Sequence, residues 1–86
     1  MSDDVETDVI QRLKRMEGQM RGIQRMVEEK RPCDEVITQV MAVRAALDNL
    51  AALMVVTHVD DCMATMEPTA AKVRIARAVH LLTKLS

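Results

Sequence analysis

Apolar residues recur along most of the chain at alternating steps of four and three, the spacing that turns one face of an α-helix toward a neighbour. The first such run comprises Val9, Leu13, Met16, Met20, Ile23 and Val27. It predicts a helix over about residues 5–29 that packs nearly lengthwise on other helices. We expect Asp4 or Thr7 to cap the start of this helix, because short polar side chains accept hydrogen bonds from its first N–H groups.

Two prolines divide the rest of the chain into two further helices. Pro32 is accepted at a helix start but not in a helix interior, so a second helix is predicted over about residues 33–65. Its apolar positions are Val36, Val40, Val43, Leu47, Leu50 and Met54. Pro68 interrupts the pattern again, before a short third helix over about residues 69–84. The short first linker predicts an antiparallel hairpin, and the fold class is all-α.

Composition indicates that one chain does not complete its own core. The 86 residues include no Phe, Trp or Tyr, and eight Met contribute to the apolar content. So small a chain buries little surface alone, which favours oligomerisation. We predict an acidic, flexible segment over residues 1–8 and a single helical domain over residues 9–86. No signal peptide is visible and no stretch stays apolar for the roughly 18 residues that a span needs, so we expect a cytoplasmic protein without a membrane partner.

Charge is unevenly distributed although the net charge is only −1. Four acids fall within the first eight residues, basic residues outnumber acidic ones from Arg12 to Arg31, and no acid follows Glu67. Such local basic faces attract polyanions whatever the overall charge is. Ordinary solvated helix faces show the same distribution, so charge alone leaves both interpretations open.

Cys33, His58 and Cys62 are the candidate metal ligands. His58 and Cys62 are four residues apart and therefore share one face of a helix. Cys33 lies 25 positions before His58, which is roughly 38 Å along a continuous helix. One chain cannot close all three around one ion, whereas two antiparallel copies can. The small residues near positions 45–48, where such copies would cross, permit close helix approach.

Two thiolates and an imidazole favour Cu(I) or Zn(II). Three ligands suit trigonal Cu(I), whereas structural zinc normally takes four. No general base accompanies the set, so we expect neither an enzyme nor a small-molecule substrate. The alternative without a metal is that His58 lies at the boundary between the apolar and polar faces of the helix and both cysteines are ordinary buried thiols.

Three segments resemble the copper-sensitive operon repressor family, the CsoR/RcnR-type bacterial regulators. They are RLKRMEGQ at residues 12–19 with Gly22 and Ile23, then Cys33 with QVMAVRAAL at residues 39–47, and finally the His58–Cys62 pair. The resemblance implies a three-helix protomer, an antiparallel dimer, a tetramer made of two dimers, and no helix-turn-helix. It also implies a repressor that binds operator DNA without metal and releases it with Cu(I). The DNA contacts carried over by this resemblance are Arg12, Lys14, Arg15, Gln19 and Arg21, which would act mainly on phosphates.

Within that family the Cys–His–Cys set resembles the copper sensors. Nickel and cobalt sensors generally add an N-terminal His, and persulfide sensors lack the His that is present here as His58. Copper sensors often carry a Tyr before the first Cys and a Glu on the third helix, where this chain has Pro32 and Ala78. Three alternatives stay open: a thiol or persulfide sensor of the same fold, a Ni or Co sensor, and a metal-buffering helical module without DNA binding.

Overall fold

The computed structural model describes residues 1–84, which form three helices. Helix α1 spans Asp3–Glu28, α2 spans Cys33–Thr65 and α3 spans Pro68–Lys84. These bounds match the predicted ones to within two residues, and the described residues contain no strand, so the all-α prediction is confirmed. The predicted domain ran to residue 86, and its last two positions lie outside the described residues.

Helix α1 begins earlier than predicted, and its cap is Ser2. The Ser2 hydroxyl oxygen accepts from the Val5 N–H at 3.3 Å. The expected caps Asp4 and Thr7 were wrong, because both lie inside the helix, where the Thr7 hydroxyl donates to the Asp3 carbonyl at 2.9 Å. Residues 3–8 are therefore helical, and their acids lie at the positive end of the helix dipole. The flexibility of residues 1–8 stays a prediction.

A tight helix ending makes the corner between α1 and α2. Lys30 adopts a left-handed conformation with φ of 56°. Its N–H donates to the Val27 carbonyl at 3.0 Å, and the Arg31 N–H donates to the Met26 carbonyl at 2.9 Å. This pair of bonds is the Schellman motif, which satisfies the last carbonyls of a helix. Pro32 then caps the start of α2 at Cys33, so the chain reverses within four residues.

The three helices lie in one layer, with α2 in the middle. Within the described residues, α1 and α3 both contact α2 but not each other. The principal extents of 54 × 28 × 12 Å give a thickness of about one helix diameter. A single layer leaves both broad faces open, so the buried core is limited to a small cluster between α1 and α2. That cluster contains Val9, Met16 and Leu50, with Val5, Ala46 and Leu53 packed against it.

The apolar stripe of α2 is divided into two seams. The inner seam faces α1 and comprises Val36, Val43, Ala46, Leu50 and Leu53, each buried or half-buried. The outer seam comprises Cys33, Ile37, Val40, Arg44, Leu47, Ala51, Met54 and His58. Its large apolar members are 41–54% exposed. The single predicted stripe thus mixes positions covered by α1 with positions that nothing in the protomer covers.

Helix α2 also reaches the length and hydropathy of a membrane span, contrary to the expectation from the sequence. Its most apolar 18-residue window has a mean hydropathy of 1.6. One such helix is weak evidence, because a helix that packs against protein passes the same test. Arg44 and Asp48 lie near its middle, and each would cost about 2.5–3.5 kcal/mol at the centre of a bilayer.

Candidate metal centre

His58 and Cys62 form a donor pair near the end of α2. The Cys62 Sγ atom lies 3.7 Å from His58 Nε2 and 3.8 Å from His58 Nδ1. The Cys62 thiol is buried at 4% exposure, whereas the His58 ring is half-buried. The four-residue spacing on one uninterrupted helix produces this proximity directly.

The spacing of the pair fits one small ion held between the two side chains. Thiolate sulfur and imidazole nitrogen bind Zn(II), for example, at about 2.3 Å and about 2.0–2.1 Å. At a trigonal angle near 120°, those two bonds place the donors about 3.8 Å apart. The observed Sγ–Nε2 distance of 3.7 Å is compatible with one shared ion, and the soft donors suit Cu(I).

Cys33 lies at the other end of α2, at its first residue, and is exposed. Because α2 is continuous, about 38 Å of helix rise separate Cys33 from His58. Among the described residues no three His, Cys, Asp or Glu side chains come together as a metal-binding group. The protomer thus contains two of the three predicted ligands together, and the third faces solvent elsewhere.

A groove runs along the outer seam beside this pair. Its volume is about 1010 Å³, and its lining includes Leu47, Met54 and His58 from α2 and Ala78 and Leu81 from α3. Ala78 therefore lies in the groove that His58 also lines, and α3 provides no acid there. The sequence reasoning missed one polar contact at this groove. The Met1 ammonium donates to Asp61 Oδ2 at 2.8 Å, which raises the pKa of the ammonium above its ordinary 8.0.

The five predicted DNA contacts lie on α1 in two stripes. Arg12, Arg15 and Gln19 follow one another at helical spacing on one side, and Lys14 and Arg21 lie roughly 140° around the helix. Arg12 is half-buried, and its Nε donates to Asp8 Oδ1 at 3.1 Å, which orients the guanidinium. The other four side chains are exposed. The two stripes therefore lie on either side of the outer face of α1.

Gly18 and Gly22 lie between these two stripes. Apart from the adjacent residues and the helix's own backbone, no heavy atom lies within 4 Å of where a side chain would begin at either glycine. Close packing inside the protomer therefore does not explain them. The outer side of α1 is instead smooth and flanked by cations, a shape compatible with a polyanion backbone.

The described residues thus form a small, one-layer, all-helical protein in which α2 carries a candidate pair of soft metal donors. The chain belongs to the family of metal-sensitive transcriptional repressors, whose model matches residues 5–84. This confirms the resemblance read from the sequence. Members of this family are transcriptional regulators, not enzymes.

Individual relatives differ in what they sense. The chain is similar to the copper-sensing transcriptional repressor CsoR of Bacillus subtilis (strain 168), with 46% identity over 56 residues, 65% of this chain and 55% of the relative. It thus spans about half the length of the curated relatives that it matches. The nickel-responsive regulator InrS has a TM-score of 0.81 and 36% identity, with 88% of this chain and 90% of that chain covered. A variant of the formaldehyde-responsive regulator FrmR from Salmonella enterica serovar Typhimurium has a TM-score of 0.83 and 30% identity, with 96% of both chains covered.

Proposed function

We propose that this protein is a copper-responsive repressor that binds operator DNA without metal and releases it on binding Cu(I). The ligands are Cys33 of one protomer with His58 and Cys62 of the partner subunit. One observation carries the proposal. His58 and Cys62 have a spacing compatible with one shared ion, and Cys33, the third donor, is the first residue of the same continuous helix. An antiparallel partner places that donor at the pair.

The choice of metal follows from the donor set. Two thiolates and one imidazole make a soft, three-coordinate site, which suits Cu(I) better than Zn(II) or Ni(II). The copper-sensing relatives support the same choice, although structural neighbours respond to nickel and formaldehyde. Bound Cu(I) would supply a crosslink between subunits, because its ligands come from both.

DNA binding is assigned to the outer side of α1. Arg12 is the leading contact, because Asp8 holds its Nε and leaves the terminal amino groups of the guanidinium to reach a phosphate. Arg15 and Gln19 extend the same stripe, and Lys14 and Arg21 form the second. The repressor is a cytoplasmic dimer of dimers, and each DNA segment meets stripes from more than one protomer. The family match favours this function over a metal-buffering module.

Reduced protein and selected DNA test the proposal together. A duplex chosen from a random library by the metal-free protein serves as the operator probe, and anisotropy follows its binding during anaerobic Cu(I) titration. We expect saturation at about one Cu(I) per protomer with loss of DNA affinity, and no such loss for Cys33→Ala. Ni(II), Co(II) and Zn(II) serve as competitors, and tighter binding of any of them would reassign the metal.

The two free thiols support a second candidate, a thiol sensor. The same antiparallel pairing brings exposed Cys33 near Cys62 of the partner subunit, so the two thiols can form a disulfide: an oxidant takes up the two electrons and two protons, or a persulfide transfers its outer sulfur to one thiol and the other thiol displaces that sulfur as sulfide. A non-reducing gel distinguishes the two functions. An inducible dimer that persists in His58→Ala, with DNA release intact, would replace the copper assignment.

A further inference from the structure

The outer seam of α2 contains one charged residue among its apolar members, Arg44. Arg44 is exposed, and so is Asp48, which lies one turn later and lines the groove along the seam. Residues 1–84 form three ion pairs, and neither Arg44 nor Asp48 takes part in any of them. A cation on an otherwise apolar face costs free energy when that face is covered, unless the covering surface provides an anion.

The antiparallel dimer of the proposed function fixes what lies opposite Arg44. Cys33 must lie level, along the helix axis, with position 60 of the partner, which is midway between His58 and Cys62. The two-fold axis then passes between residues 46 and 47, and position 44 lies opposite position 49. Asp48 of the partner subunit is offset from that point by about 1.5 Å along the helix, well within reach of an arginine side chain.

We infer that Arg44 pairs with Asp48 of the partner subunit, twice per dimer by symmetry, and that these pairs select the register of the dimer. This inference rests on the proposed function, because it uses the pairing of Cys33 with His58 and Cys62. It assigns the outer seam to a second copy of this chain. The charges of the seam are self-complementary in that arrangement, since each copy contributes one cation and one anion.

Apolar contacts alone do not distinguish this register from its neighbours. Val40, Leu47 and Met54 are spaced by seven residues, so a slip of seven positions still sets apolar residues against apolar residues. After such a slip, position 44 faces Ala42 or Val56 of the partner subunit and no acid. The slipped dimers bury an unpaired guanidinium, and this cost is how one polar position specifies the register of packed helices. The slip also separates the metal ligands.

The competing interpretation is a pair within one helix, because Arg44 and Asp48 are four residues apart. The structure contains no such pair, and an arginine preceding the acid is the less favourable order on a helix. Variants that reverse one of the two charges distinguish a pair between subunits from a pair within one helix. Arg44→Glu and Asp48→Lys each replace two attractions across the dimer by two repulsions, and each also replaces any attraction within the helix.

Sedimentation equilibrium of the metal-free protein tests the inference. We expect each single variant to raise the dimer dissociation constant about tenfold or more. An equimolar mixture should restore native association, because the acid at position 44 of one variant meets the base at position 48 of the other. The R44E/D48K double variant should likewise associate as the native chain does. Asp60→Lys, on the opposite side of α2, is the matched control and should leave association unchanged.

Native association of both single variants would overturn the inference, and so would a mixture that stays dissociated. Because Arg44 and Asp48 are exposed and outside the α1–α2 core, far-UV circular dichroism should show folded helices. If a single variant unfolds alone, the equimolar mixture still decides, because it restores only the pairs between subunits and leaves the like charges within each helix in place. Failure of the proposed function looks different: the native chain would then stay monomeric or bind no Cu(I). Native copper binding with silent charge variants would refute the register pair alone.

Discussion

Complementation between two inactive variants is the sharpest test of a metal site shared by subunits. Cys33→Ala removes the ligand at the start of α2, and a second variant, H58A/C62A, removes the pair near its end. The continuous helix keeps these ends about 38 Å apart, so no protomer can build the three-donor site by itself. Each variant alone should therefore bind no Cu(I) at the three-donor site.

Mixing the variants should restore a defined fraction of the sites. In a mixed dimer, intact Cys33 of one protomer meets the intact pair of the other, and the second site contains only mutated positions. Random exchange makes about half of the dimers mixed, so the expected capacity is about one Cu(I) per four protomers. Native protein should bind about one per protomer, four times more.

Anaerobic titration against a colorimetric Cu(I) chelator measures this capacity, after co-expression has ensured exchange of subunits. Native mass spectrometry with one variant tagged supplies the fraction of mixed dimers as the control. A mixed-dimer population with no recovered capacity would refute the shared site. So would near-native capacity in Cys33→Ala alone, since the site would then not need the partner's thiol.

Three further outcomes are expected. Lys30→Gly should raise the free energy of unfolding by about 0.5–1 kcal/mol in urea titrations, because glycine adopts the left-handed conformation without strain; equal or lower stability would contradict this. Arg12→Ala should weaken DNA binding and reduce the slope of log affinity against log salt by about one, whereas an unchanged slope would remove Arg12 from the interface. The Glu67 carboxylate accepts from the N–H groups of Thr69 and Ala70 at 2.9 and 3.1 Å, which lowers its pKa below the ordinary 4.5. The charged Glu67 carboxylate therefore stabilises the fold above pH 4.5, and this stabilisation is lost as the pH falls through the lowered pKa. Glu67→Gln should be less stable than the native chain at pH 7, and the difference should shrink in acid. A difference that does not change with pH would exclude this role of the carboxylate.

The helices were predictable because proline interrupts them and the apolar repeat is regular. The division of the α2 stripe was not, because its two halves adjoin and only the placement of α1 decides which half is covered. The cap at Ser2 and the turn at Lys30 also escaped prediction. Several polar residues near the first helix compete for the cap, and no glycine marks the left-handed position.

At the candidate metal site too, the sequence predicted what depends on neighbouring residues and missed what depends on contacts between distant ones. The His58–Cys62 pair and its separation from Cys33 follow from helix geometry, so spacing alone predicted both. The contact of Met1 with Asp61 joins residues 60 positions apart, and no local pattern indicates it. The role of Arg44 emerged only once the structure showed which seam stays uncovered.

The uninterrupted course of α2 has a consequence for how this gene can change in length. One residue inserted between Cys33 and His58 would rotate one end of the helix by about 100° relative to the other and turn a ligand away from its partner. Seven inserted residues would nearly restore the facing, with a drift of about 20°. In an antiparallel pair both copies lengthen equally, so the ends still meet. Homologous genes should therefore tolerate whole heptads here and reject single codons.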